Sequence, residues 1–346
     1  MFTPLRPLAQ PCPSLDVAVS SRRVLFVVLL ACLGVLVAGC GSGDDESQPA
    51  APAPAKPEDF PKPAGKSLAN LSAQLREGGP VLAPSVSQLV QGKNRFGFGL
   101  FDRERAQIAD AQVVVYVAPV GGGPAKGPYP ARYQSLAVKP QYVSRNVATD
   151  PDAAKSVYVA QVPFSKPGKY EVLGIARLDD RLVAATPAGP PLTVVKRSDD
   201  AIPEPGDRPP TIHTPTEADA GGDIASIDTR IPPDSMHDVD FADVVGKKPV
   251  VLILATPQLC QSRVCGPVVD IAEQVKAEHD WDADFIHMEV YRDNSIDKGL
   301  RPQLIAWNLQ TEPWLFTIDR HGKVAARMEG AFSARELEAA IKKAGG

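Results

Sequence analysis

Cysteine, histidine and aromatic side chains are scarce in this chain of 346 residues, which has five cysteines, five histidines and 6% aromatics. Between residues 80 and 197 there is neither a cysteine nor a histidine, so a thiolate- or histidine-based metal site is not expected there. No basic stripe exists, and no nucleic-acid partner is expected. A membrane-spanning helix needs ~20 apolar residues, and the strongly apolar run Val24 to Ala38 has 15. That length suits the apolar region of an export signal.

What is present at the N-terminus sets the compartment. Arg22 and Arg23 precede the apolar run, which ends in Leu36-Val37-Ala38-Gly39-Cys40. This resembles the lipobox of bacterial lipoproteins, in which the cysteine after a small-residue cleavage site becomes the lipidated first residue. Ser21-Arg22-Arg23-Val24-Leu25 also resembles a twin-arginine export signal. The resemblance implies a signal peptide over 1–39, a lipid on Cys40 and attachment to the extracytoplasmic side of the bacterial cell membrane. Disulfides are permitted there. Without residues 1–39, 34 basic and 40 acidic residues leave a formal charge of −6.

Residues 40–79 are rich in proline and alanine and are expected to form an extended tether. Residues 80–197 hold six or seven short strand-like runs separated by Gly, Pro, Asn and Asp. In one of them Phe96, Phe98 and Leu100 alternate with Arg95, Gly97 and Gly99. This pattern predicts an all-β, immunoglobulin-like sandwich. Residues 198–210 read as a linker. Over 211–346 the order β-α-β-α-β-β-α emerges. It begins with the continuous apolar run Val250–Ala255 and ends in a helix opened by Ser333 with Glu336 three residues later, the capping-box spacing.

Cys12 and Cys32 fall within the leader and Cys40 at its end, which leaves Cys260 and Cys265 as the one possible pair. They sit between the Val250 strand and an amphipathic helix that Gly266-Pro267 opens. Proline suits a first helical turn and is costly in a helix interior. The helix is therefore predicted to begin near Gly266 or Pro267. Cys265 then lies at its N-terminal edge, where free N–H groups and the dipole stabilise a thiolate. Cys260 lies in the preceding loop as its partner. The reverse assignment, with Ser262 capping an earlier helix, stays open.

Strand, cysteine and helix in that order, Cys265-Gly266-Pro267, and Thr311-Glu312-Pro313 before a strand hairpin together resemble the thioredoxin superfamily. The resemblance implies an α/β thioredoxin-like domain over 211–346. It makes Pro313 a candidate cis-proline beside the sulfurs, and gives Glu312, Trp314 and Pro267 as further substrate-contacting positions. The sequence departs from the family at Val268, where the second cysteine would stand, and in lacking the buried acid of the first strand, for which Glu289 is the nearest candidate, although a solvent-facing strand position is the preferred reading of it.

The expected function is thiol–disulfide exchange with client proteins or a redox partner, with no cofactor and no metal. Three readings compete with it. One is a redox-inactive interaction domain held by a structural disulfide. A second is a peroxidase, because the C-x4-C spacing resembles atypical two-cysteine peroxiredoxins. The third is a Cu(I) chaperone. The third lacks a histidine beside Pro313, and His287 and His321 read as packing or surface residues.

Overall fold

The computed structural model describes residues 52–75 and 78–346. The leader and the lipidation position Cys40 lie outside the described residues. Among the described residues no helix is long and apolar enough to cross a membrane.

After a short helix α1 (Leu68–Ser72) come nine strands: β1 (Val81–Pro84), β2 (Gln88–Val90), β3 (Gly92–Phe101), β4 (Gln112–Pro119), β5 (Lys126–Ser135), β6 (Ser156–Phe164), β7 (Gly168–Leu178), β8 (Arg181–Pro187) and β9 (Leu192–Val195). A helix α2 (Arg145–Thr149) interrupts the β5–β6 connection. All nine strands form one sheet in the order β2-β9-β7-β4-β5-β6-β3-β1-β8. β7 also pairs with β8, which closes seven of them into a barrel. Alternation fills the interior: Phe96, Phe98 and Leu100 of β3 meet Val113, Val115 and Val117 of β4, with Val162 of β6 and Ala176 of β7. The opposite face of β4 and β7 (Val114, Tyr116, Leu173, Ile175) packs against Phe60, Leu68 and Leu71. This part of the expected tether therefore lies down on the barrel, with Phe60 buried and the Tyr116 hydroxyl donating to the Pro61 carbonyl at 2.7 Å.

The second region holds β10 (Val250–Leu254), β11 (Asp284–Met288), β12 (Trp314–Ile318) and β13 (Val324–Glu329), in the order β11-β10-β12-β13. β10 and β11 run parallel, and β12 is antiparallel to both its neighbours. Its helices are α3 (Phe241–Val244), α4 (Cys265–Glu278), α5 (Pro302–Ala306) and α6 (Ala334–Ala344). Ser333 caps α6, and both hydrogen bonds of the capping box with Glu336 form. On one face of this sheet, Val251, Ile253 and Leu315 pack with α4 and α6. On the other, Leu252, Leu254 and Phe316 pack with Phe241, Leu304 and Trp307, and with Ile202 and Ile212 from irregular chain.

The fold class expected from the sequence, an α/β thioredoxin-like domain after an immunoglobulin-like β-sandwich, is overturned. The first half closes on itself as a seven-strand barrel instead of stacking two sheets, and only 21% of the described residues are helical. Alternation specifies strands but not closure, which here depends on β1 meeting β8 in parallel across about 100 residues (Val81 opposite Thr186). In the second half two of the helices, α3 and α5, are only four and five residues long, and irregular chain covers much of one sheet face. Cys-Gly-Pro and the proline before β12 report local geometry and do not set the layer architecture. The halves also share a core, since Leu136, Val157 and Val159 of the barrel region pack with α4 and α6. The expected linker is likewise built in: Asp200 accepts from Arg327 at 2.6 Å and Ile202 is buried.

Candidate functional site

β10 is buried along its whole length and delivers the chain to a loop that turns through Arg263 at φ 59° before α4 begins at Cys265. No side chain caps that helix. Its first amides need a partner, and the N–H groups of Val264 and Cys265 face the sulfur of Cys260. The Cys265 thiol points at the same sulfur, and Ser262 Oγ stands 3.2 Å from it. The Cys265 thiol is the largest influence on Cys260. Against the opposing effect of burial, it joins with Ser262 and the two amides to bring the Cys260 pKa from 9.0 to about 6. Burial, then the neighbouring Cys260 sulfur, pushes the Cys265 thiol well above the ordinary range.

Both thiols are free, and the structure brings them together. Their environments are the reverse of those expected from the sequence. The helix starts where Pro267 predicted, in the third helical position, yet its N-terminus serves the residue that loops in front of it. The side chain of the first helical residue, Cys265, turns into the core at 0% exposure, while Cys260 keeps 7%.

The Glu312–Pro313 peptide is cis, and Pro313 itself is buried. Burial first, and then the charge of Cys260, raises the Glu312 carboxyl to about 7. The Tyr291 hydroxyl donates to Glu312 Oε1 at 3.3 Å. Trp314, expected along a groove, is a core residue: it is 2% exposed, its ring stacks on Phe316 at 5.7 Å, and its N–H donates to Thr311. Glu289 is also buried, and it accepts from the N–H and hydroxyl of Thr229 at 2.8 and 2.7 Å. Burial raises its carboxyl pKa.

Cys260 opens onto a cleft of about 550 Å³, with Pro257, Arg263 and Pro267 on its own side. The far wall is Val147 and Asp150 of the β5–β6 connection together with Ile231. The sequence reading missed this wall. Close approach is permitted by Gly266, where a Cβ would stand 2.9 Å from Val147 Cγ2. Asp270 fastens the wall: it accepts from Ser144 N–H at 2.9 Å and pairs with Arg230 at 2.8 Å, and all three residues are buried. One signal was readable, because an aspartate between Val269 and Ile271 on an inward helix face calls for a buried cation. His287, expected as a packing or surface residue, is fully buried in a cluster with Asp228, Asp234 and His237. His321 sits in the exposed β12–β13 turn, where its N–H is accepted by Asp319.

No family model and no curated protein matches the chain.

Proposed function

We propose that this protein is a thiol–disulfide oxidoreductase of the bacterial cell envelope, held to the membrane by a lipid on Cys40, with Cys260 as the attacking thiol and Cys265 as the resolving one. The observation that carries the proposal is the asymmetry of the pair. One sulfur is lowered to about 6 by thiol and amide donors at a helix N-terminus, beside a cleft, and its neighbour is kept protonated by burial.

At neutral pH the Cys260 thiolate attacks one sulfur of a client disulfide. The client S–S bond breaks, its other sulfur leaves as a thiolate, and Cys260 is joined to the client. Cys265 then loses its proton and attacks Cys260 Sγ, which releases the second client sulfur. Two electrons pass to the client, and a Cys260–Cys265 disulfide remains in the protein. Running the same steps backwards oxidises a client dithiol. Glu312, half-buried and close enough to feel the charge of Cys260, is the carboxyl placed to exchange protons near the pair. The clients are disulfide-bearing proteins whose extended segments fit the cleft between α2 and the cysteine loop.

The test uses Cys265→Ser. Incubated with a disulfide-bearing peptide, this variant accumulates a mixed disulfide on Cys260 that mass spectrometry locates. No adduct, or an adduct formed only on Cys265 in Cys260→Ser, overturns the assignment.

A further inference from the structure

One buried cluster plays no part in the thiol chemistry. Asp228, Asp234 and His237 lie on the irregular segment before α3, and His287 lies on β11. One ligand atom from each falls within 4.8 Å of all the others, and all four residues are buried. We propose that these four side chains form a binding site for one divalent metal ion of the zinc class, held by two imidazoles and two carboxylates.

Three observations carry it. First, His237 is 3% exposed, yet neither of its ring nitrogens has a hydrogen-bond partner among the described residues. Its Nε2 stands 3.4 Å from Asp228 Oδ2 and 3.4 Å from Asp234 Oδ1. A buried imidazole aimed at two carboxylates without bonding either leaves room for an ion between them. Second, His287 is oriented from behind. Its Nε2 meets the Ala255 carbonyl at 3.2 Å and its Nδ1 meets Asp234 Oδ2 at 2.7 Å, so the carbonyl can keep one ring proton while the proton on Nδ1 gives way to an ion. Fixing of the tautomer by a backbone carbonyl is the usual support of a metal-binding histidine. Third, the spacing around His237 fits. Bonds of ~2.0–2.1 Å at tetrahedral angles put ligand atoms about 3.3 Å apart. Its Nε2 lies 3.4 Å from one oxygen of each aspartate, while His287 Nδ1 lies 2.7 and 3.9 Å from their other oxygens and would shift on binding.

Charge agrees as well. Two carboxylates neutralise a divalent ion, so the buried site carries no net charge with both imidazoles neutral. The donor set of two nitrogens and two oxygens favours a borderline ion over Cu(I), which prefers sulfur. Backbone amides hold the carboxylates in place: Arg230 and Asp234 N–H donate to Asp228, and Met236 N–H donates to Asp234. The ion would thereby clamp both ends of the segment that carries Ile231 into the cleft wall. The proposal does not depend on the redox reading.

The experiment uses the full chain in detergent, stripped with a chelator and titrated with zinc chloride or cobalt chloride. The expected result is about one equivalent of zinc retained through gel filtration, with a rise in melting temperature. Cobalt should give the visible bands of a four-coordinate nitrogen–oxygen site without a thiolate charge-transfer band. Cys260→Ser/Cys265→Ser keeps the equivalent. His237→Gln, which removes no hydrogen bond, lowers affinity by about tenfold or more with an unchanged far-ultraviolet spectrum. Should that variant fail to fold, Asp234→Asn, which keeps an acceptor for Met236, is read in the same way. Failure of the parent chain to retain zinc, loss of the metal with the cysteines, or full affinity in the variant that folds overturns the proposal.

Discussion

Arg230 Nε donates to Asp270 Oδ1 at 2.8 Å, with the two side chains 5% and 1% exposed. This pair fastens the segment that forms the cleft wall to the helix that presents the cysteines. The other nitrogens of Arg230 donate to the carbonyls of Pro232 and Tyr142, so one guanidinium holds together three stretches distant in sequence.

Asp270→Ala should therefore be strongly destabilising, because it leaves a buried guanidinium without its anion. Breaking one side of such a pair costs about 3–5 kcal/mol. Urea unfolding with an unchanged slope measures the loss. A change under about 1 kcal/mol would show that Arg230 finds water or another acceptor.

The two thiols should differ sharply toward iodoacetamide. Cys260 reacts as the thiolate, so its alkylation rate should rise with a midpoint near pH 6, while Cys265 stays unmodified in the folded protein. Peptide mapping across pH 4–9 reads both. Linkage has a definite sign here. A thiol depressed from 9.0 to about 6 contributes stability that is present above the unfolded value and is lost as pH falls through about 6.

Glu312→Gln should leave the Cys260 alkylation midpoint near pH 6, because the Glu312 carboxyl, raised to about 7, is already mostly protonated there. Stability should respond in the opposite sense to the thiol. The Glu312 carboxyl is raised from 4.5 to about 7, so the stability it contributes is full below 4.5 and lost as pH rises through 7. The glutamine variant should thus gain on the parent chain more at pH 8 than at pH 4, as thermal melts at both values would show. An equal difference at both would place Glu312 in water.

Gly266→Ala should perturb the cleft, not the helix. Alanine is the better helix former, but its Cβ would meet Val147 at 2.9 Å. Overpacking of this kind costs about 1–3 kcal/mol. Adding Val147→Ala removes the clash and should restore both stability and the rate of Cys260 alkylation. Failure of the second substitution to rescue would mean that the added methyl acts elsewhere than on Val147.

The local features were legible because each depends on neighbours a few residues away. Proline's tolerance for a first helical turn placed the start of α4, the Ser333–Glu336 spacing announced the cap of α6, and an unbroken run of apolar residues marked β10. The environment of Cys265 differs from the expected one for a physical reason. Position at the helix start was legible, but the direction in which that side chain would turn depends on the packing of α4 against the sheet. In the sequence Glu289 is the nearest candidate for the buried acid but reads first as a solvent-facing strand residue; it is buried, and its partner Thr229 lies 60 residues away and could not be named.

The amino-acid order alone determined where strands and helices form, that two thiols stand together before a helix, and that a proline precedes β12. Those outcomes follow from backbone sterics and short-range periodicity. Closure of the barrel through β1, β7 and β8, the cleft wall drawn from the β5–β6 connection, the choice of Cys260 as the more accessible sulfur, and the gathering of two aspartates with two histidines were decided by tertiary structure. Each requires residues tens of positions apart to be buried against one another, and the free energy of such contacts exists only once the chain has folded.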